Sequence, residues 1–315
     1  MKFGLVPLTL DNYKEIIGEN GSKIVSEEEV LYHENLRTSD TVFHRVAAVT
    51  SEGQLVGDGL AVTGPFDPTP KEGHFEIRVR VAEEWRNNGI GTVIYQEVSR
   101  FATEHAATAL QVTVRDTCSH CLSFAERRGF EIYNHSFGST LNIKSFDSSQ
   151  FAQVPSLGHR LRIVSLADYP HTDEWFQRFV EFYYELVEDV PGMGGMTPSV
   201  LDLEKEKRKL TGGQPLDPHA VIIATVDDQW AALSFLIRTP DGNYVNAMTG
   251  VRRQYRGLRL GLAVKRAAVD YAKRQGANRL RTYNASINKP MLAINEKLGY
   301  QRESGVFALR KILAN

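Results

Sequence analysis

Two tandem domains of α/β (α+β) class are what this sequence predicts, and three observations carry the prediction. Arg86-Asn87-Asn88-Gly89-Ile90-Gly91 and Arg256-Gly257-Leu258-Arg259-Leu260-Gly261 are versions of one motif set 170 positions apart. The same offset joins Val81 to Val251, Trp85 to Tyr255, Gly129 to Gly299 and Phe130 to Tyr300, so the register holds over roughly fifty residues without a gap. A length of 315 residues suits two domains of about 150 each. Around each motif, strand-period and helix-period patterns alternate in the same order. The expected division is residues 1–150, a linker at 151–158 overlapping the Ser-rich and Pro-containing run Ser145–Ser156, and residues 159–315.

In the first half, Val42–Thr50 and Gln54–Val62 read as a hairpin about Ser51-Glu52-Gly53. His74–Val81 alternates, with Phe75, Ile77, Val79 and Val81 on one face and Glu76, Arg78 and Arg80 on the other. After the glycine loop, Ile94, Val98, Phe101 and Ala102 recur at helical spacing. Leu110, Val112 and Val114 form a strand, and Cys118, Cys121, Leu122 and Ala125 share a helical face that ends at Gly129. Phe137–Ile143 closes the half. The second half repeats the plan: a strand at Leu161–Val164, a helix from Thr172 to Glu188, and a hairpin Val221–Ile237 turning at Asp227-Asp228. A strand Tyr244–Val251, the loop and its helix, a strand Leu280–Tyr283 and a helix Asn288–Leu298 stopped by Gly299 complete it.

A hydrophobic content of 42% with 24% charged residues is that of a globular protein. A net charge of −1 supplies no positive field, so neither nucleic acid nor an anionic membrane is an expected partner. No apolar run approaches the length of a membrane span, and a cytoplasmic location is expected. Cys118 and Cys121 are the only cysteines, with His120 between them. No second Cys or His pair follows at zinc spacing, so the expectation is two buried small hydrophobes on a helix and no metal.

A strand that runs into a glycine loop and then a helix turns backbone N–H groups outward at the positive end of the helix dipole. That is a cradle for a diphosphate. Gly89 and Gly91 permit close approach of the main chain, and Arg86 adds charge. A Gly-x-Gly-x-x-Gly dinucleotide fingerprint with its acidic partner is not present.

The strand ending at Val81, the Arg86-x-x-Gly89-x-Gly91 loop and the helix ending Arg127-Arg128-Gly129-Phe130 resemble the GNAT superfamily of acyl-CoA-dependent N-acyltransferases. The second copy does so through Tyr255-Arg256-Gly257, Asn284, Asn288-Lys289-Pro290-Met291 and Asn295 to Tyr300, and looks like the C-terminal half of bacterial tandem GNAT proteins. The resemblance implies a mixed, splayed sheet flanked by helices in each half, acetyl-CoA as co-substrate, and a primary amine of a small molecule or peptide as acceptor. It places the acyl-CoA against Val79, Val81, Arg86, Asn87, Asn88, Gly89, Ile90, Gly91 and Thr92 in the first copy. In the second it implies Thr249, Val251, Arg256, Gly257, Leu258, Arg259, Leu260, Gly261, Asn284 and Asn288.

Departures from the family pattern are visible. Arg259 stands at the position of Gly89, the family's general-acid tyrosine falls at Ala125 and Asn295, and its pantetheine-contacting asparagine is Asn288 but Cys118 in the first copy. Candidate catalytic groups are Glu76 as base, with His74 beside it, and Tyr255 and Tyr283 as acids. The helix Asp173–Asp189, with Glu181, Glu185, Glu188 and Asp189, offers an acidic wall to a cationic amine, or simply a solvated face, and Pro191–Met196 a lid. Beside the transferase stand two alternatives: an acyl-CoA-binding sensor without catalysis, and another nucleotide-phosphate enzyme. Neither the acceptor nor the oligomeric state is legible.

Overall fold

The structure, a computed structural model, describes residues 2–17, 24–35, 41–63, 72–151, 158–191, 201–211 and 215–313. In chain order its elements are β1 (Phe3–Pro7), α1 (Tyr13–Ile17), α2 (Glu27–Asn35), β2 (Phe43–Thr50), β3 (Leu55–Val62), β4 (His74–Val81), α3 (Ile90–Glu104), β5 (Ala109–Arg115) and α4 (Ser119–Glu126). There follow β6 (Glu131–Asn142), β7 (Leu161–Ser165), α5 (Asp173–Val187), α6 (Leu203–Thr211), β8 (Val221–Val226), β9 (Gln229–Arg238), β10 (Tyr244–Val251), α7 (Leu260–Arg274), β11 (Arg279–Ala285), α8 (Lys289–Lys297) and β12 (Gln301–Ile312). Among the described residues no helix is long and apolar enough to cross a membrane.

The chain packs as two units, residues 1–133 with 306–315, and residues 134–305. In the first unit β1 to β4 form an antiparallel meander, and β4 then pairs in parallel with β5. The far side of β5 is closed by Val306–Ile312 of β12, antiparallel, with Leu309 opposite Val112. In the second unit β7 to β10 repeat the meander, β10 pairs in parallel with β11, and β11 is closed by Ser136–Asn142 of β6. The last strand of each sheet thus comes from the opposite half of the sequence. The repeat divides the chain near residue 150; packing draws the boundary at residue 133 and returns the C-terminus to the first unit.

Local chemistry accounts for the elements. The β8–β9 turn uses Asp227 and Asp228, both at positive φ (48° and 61°), the twist that a two-residue hairpin requires. α3 buries Ile90, Ile94, Val98 and Ala102 on one face. It lies so close to β3 that a Cβ on Gly59 would run into the Ile94 side chain. Burying a side chain such as Ile94 is worth about 2–3 kcal/mol. In the second unit α5 buries Phe176, Phe179, Val180 and Val187, and it touches β10 at Gly250, where a Cβ would sit 2.9 Å from that of Leu186.

One expectation needs correction. Cys118 and Cys121 are not a pair of buried hydrophobes: they are joined in a disulfide across the first turn of α4, and both are half-buried. At the start of the expected linker, Ser148–Phe151 form a 3-10 turn, and buried Phe146 stacks on Phe151 within the core of the second unit. Arg266 and Lys273 of α7 donate to the carbonyls of Phe151 and Phe146. Residues 152–157 of that linker, and 192–196 of the expected lid, lie outside the described residues.

Candidate active site

Both sheets open at corresponding points. β4 pairs with β5 only over His74–Glu76 and Ala109–Gln111, and β10 pairs with β11 only over Tyr244–Asn246 and Leu280–Thr282. Beyond Glu76 and Asn246 the parallel pairing stops, so the main chain of Val79–Val81 and Thr249–Val251 has no ladder with β5 or β11. Each strand then runs through a 3-10 turn, Glu83–Trp85 or Arg253–Tyr255, into the loop that opens α3 or α7.

The two loops share one backbone shape. Asn87 and Gly89 have φ of 64° and 81°; Gly257 and Arg259 have 80° and 58°. Arg259 therefore takes the left-handed conformation of Gly89 despite its side chain, at a cost of about 1–2 kcal/mol. Gly89 and Arg259 are the N-caps of α3 and α7, so the N–H groups that open each helix lack the i−4 carbonyl partner of later turns. Arg86 Nε donates to the Val81 carbonyl at 3.4 Å, and Arg256 Nε to that of Val251 at 3.2 Å. Asn88 braces the first loop by donating to the carbonyls of Trp85 and Arg86. Arg128 donates to Thr92 Oγ1 at 2.8 Å and stacks over Phe124. Leu258 packs against the core of the second unit, with Leu260 buried in it.

Charge separates the copies. Before the first loop stand exposed Glu83 and Glu84, before the second Arg252 and Arg253. Arg252 is held by Glu185, and Arg253 and Arg256 by Asp189. Asp189 is kept below the usual carboxylate range by these guanidiniums, Arg253 foremost. Glu185, Leu186, Glu188, Asp189 and Arg252 to Gln254 line a cavity of about 520 Å3. The acidic end of α5 thus lines an open surface depression, whereas Glu181 is exposed and accepts from Gln177.

The face of β4 that carries Glu76 is ionic. Arg80 donates to Asp58 at 2.6 Å and, as a fork, to Glu29 at 2.9 and 3.2 Å. Arg78 pairs with Glu29, and buried Arg45 donates to His33 Nδ1 at 2.7 Å. Burial, then Arg45, pushes His33 down to about 4; burial lowers Arg45 to about 10. Sequence reading saw the charges on β4 but not their partners, since Glu29, His33 and Asp58 come from α2 and β3. In the second unit the same face is apolar: Met248 and Gly250 replace Arg78 and Arg80, and Leu186 and Phe235 cover them.

Half-buried Glu76 ends the paired stretch of β4 opposite Gln111, with His74 at its start. Its counterpart Asn246 is buried and donates to Ser234 Oγ and to the carbonyls of Phe235 and Met248. These bonds staple a bulge between Asn246 and Met248 where β10 leaves register with β9; β4 meets β3 without a bulge. Tyr255 packs into the core of the second unit and lies near Arg160. Tyr283 is 55% exposed on β11, one residue past the point where β10 and β11 part, with Arg281 over its ring. Asn284 accepts from buried Asn295 at 2.6 Å, and Asn288 caps α8 by accepting from the Met291 N–H. Ala125 and Asn295, at the places of the expected acid, are both buried.

The acetyltransferase (GNAT) family profile matches residues 11–130. No curated protein matches the sequence. Among solved structures, a GCN5-related N-acetyltransferase from Sphaerobacter thermophilus superposes with a TM-score of 0.69 at 16% identity, over 98% of this chain and 95% of that one. A tandem GNAT protein from the clavulanic acid biosynthesis pathway gives 0.64 at 17% identity, over 100% and 99%. The family profile thus covers most of the first half of the chain, and the whole chain shares its fold with these acetyltransferases, one of them a tandem GNAT protein.

Proposed function

We propose that the protein transfers an acyl group, acetyl by preference, from acyl-CoA to a primary amine of a small molecule or peptide in the cytoplasm. The observation that carries this reading is the repeated juxtaposition of a parallel strand pair whose pairing stops short with a left-handed loop and helix start. The N–H groups of Gly89 to Gly91 and Arg259 to Gly261 hold the diphosphate, with Arg86 and Arg256 beside them. Main-chain groups of Val79, Val81, Thr249 and Val251 hold the pantetheine arm, with Asn284 and Asn288 at its side in the second unit.

Chemistry is assigned to the second unit. The bulge after Asn246 sets this strand apart from its counterpart β4, and a main-chain N–H positioned there toward the developing oxyanion would be worth about 3 kcal/mol. The cavity at the end of α5, whose carboxylates Glu185 and Asp189 are paired with arginines, would offer an amine a polar wall in which Glu188 carries the remaining acidic charge. Attack is direct: the neutral amine adds to the carbonyl and the C–S bond breaks as the thiolate takes a proton from Tyr283, which regains one from the amine nitrogen through water. Tyr255 acts in packing. In the first unit Glu76 is the group able to accept the amine proton.

The test is release of CoA thiol from acetyl-CoA over a panel of small amines and peptides, with product identified by mass. Turnover on an amine supports the reading. Saturable CoA binding with no acetylated product from any amine favours the sensor, a reading supported by the burial of Ala125 and Asn295 where an acid would stand.

A further inference from the structure

The only two cysteines of the chain stand three residues apart, and the structure joins them at the start of α4 with the exposed imidazole of His120 beside them. A ring nitrogen of His120 lies 3.4 Å from Cys118 Sγ and another contact places it 3.6 Å from Cys121 Sγ. A bond that closes so short a loop constrains an unfolded chain least, so stability is a weak reason for it. The repeat supplies a better one. Cys118 is the N-cap of α4, and its counterpart 170 positions on, Asn288, is the N-cap of α8. Asn288 Oδ1 accepts from the N–H of Met291, the counterpart of Cys121, whereas Cys118 makes no capping bond.

We propose that Cys118 and Cys121 are a redox-active dithiol–disulfide pair that exchanges with low-molecular-weight thiols. In the reduced form the Cys118 thiolate takes the place of the Asn288 oxygen and accepts from the first-turn N–H groups. The helix N-terminus and His120 favour the anion, which lowers the thiol pKa and favours the dithiol over an ordinary structural disulfide. In the oxidising direction the Cys118 thiolate attacks one sulfur of a disulfide RSSR. The S–S bond breaks, RS⁻ leaves, and a mixed disulfide forms. Cys121, its proton passed to His120, attacks Cys118 Sγ and expels the second RS⁻. Two cysteines are oxidised and RSSR is reduced to two RSH, one proton coming from Cys121 through His120 and the other from the solvent that took the Cys118 proton.

The experiment equilibrates the full chain in reduced and oxidised glutathione at varied ratios, quenches with acid, alkylates and counts thiols by mass. The expected result is one reversible transition in which both cysteines change together, with the dithiol restored by millimolar reduced glutathione under native conditions. Two free thiols in oxidised glutathione alone, a disulfide that resists native reduction, or stoichiometric zinc that shields both cysteines overturns the proposal. In Cys121→Ser, alkylation of Cys118 by iodoacetamide should be half-maximal below about pH 8.5, the ordinary thiol value; a midpoint at or above it removes the capping role. Thiol counts do not depend on acyl-CoA, so this can fail while the transferase reading stands.

Discussion

Asp189, just past the end of α5, accepts from Arg256 at 2.5 Å and from Arg253 at 2.9 Å, so the loop arginine Arg256 is already paired. A diphosphate arriving there competes with this carboxylate. Asp189→Asn should tighten acetyl-CoA binding by about two- to tenfold at low ionic strength, with the gain shrinking as salt screens it. Calorimetry at two salt concentrations checks this. Unchanged or weaker binding would mean that Arg256 does not meet the ligand.

Arg259 tests whether backbone or side chain matters more at that loop. Arg259→Gly removes a left-handed non-glycine residue and should raise stability by about 1 kcal/mol. If the guanidinium binds phosphate, acetyl-CoA affinity falls while the melting temperature rises. If main-chain amides suffice, affinity holds. A destabilised variant would contradict the backbone account.

Lys265 is wholly buried in α7, with Nζ 3.8 Å from Met291 Sδ and 5.1 Å from the centre of the Tyr300 ring. Burial pushes it down to about 7. Its folded value lies below the unfolded one near 10.4, so the unfolded chain holds more protons between pH 7 and 10 and stability rises with pH across that window. Lys265→Met should abolish this rise and stabilise the protein at pH 7 by an amount on the order of a few kcal/mol. Denaturant midpoints at pH 7 and 9 decide it; parallel behaviour of the two proteins would show Lys265 uninvolved.

His33 accepts a hydrogen bond from Arg45 and so must be neutral. With a folded value near 4 against about 6.5 unfolded, its contribution is intact above pH 6.5 and is lost as pH falls toward 4. An NMR titration should find an imidazole still neutral at pH 5. A midpoint near 6.5 would sink the buried network as described.

Much of this fold could be read from periodicity. β4, β10 and the hairpins begin and end within a residue or two of expectation, because alternation and turn residues are local signals. β1 and β12 were missed. β12 finds its partner β5 almost two hundred residues earlier, so no local pattern announces the exchange of last strands. At the site, the loops were legible from Gly89 and Gly257, but the shared left-handed shape at Arg259 was not, since an arginine there argues against it. Asn246 shows the limit most plainly: the offset matched it to Glu76, yet only the bulge explains why an amide, with two donors and an acceptor, serves there.

The direct test of the central claim is calorimetric titration of ligand-stripped protein with acetyl-CoA and, in parallel, with acetylated pantetheine, which lacks the diphosphate. Helix starts that hold the diphosphate predict saturable heat with acetyl-CoA and an affinity at least about tenfold greater than for the shortened donor. Equal affinities, or no heat with acetyl-CoA at millimolar concentration, would contradict it.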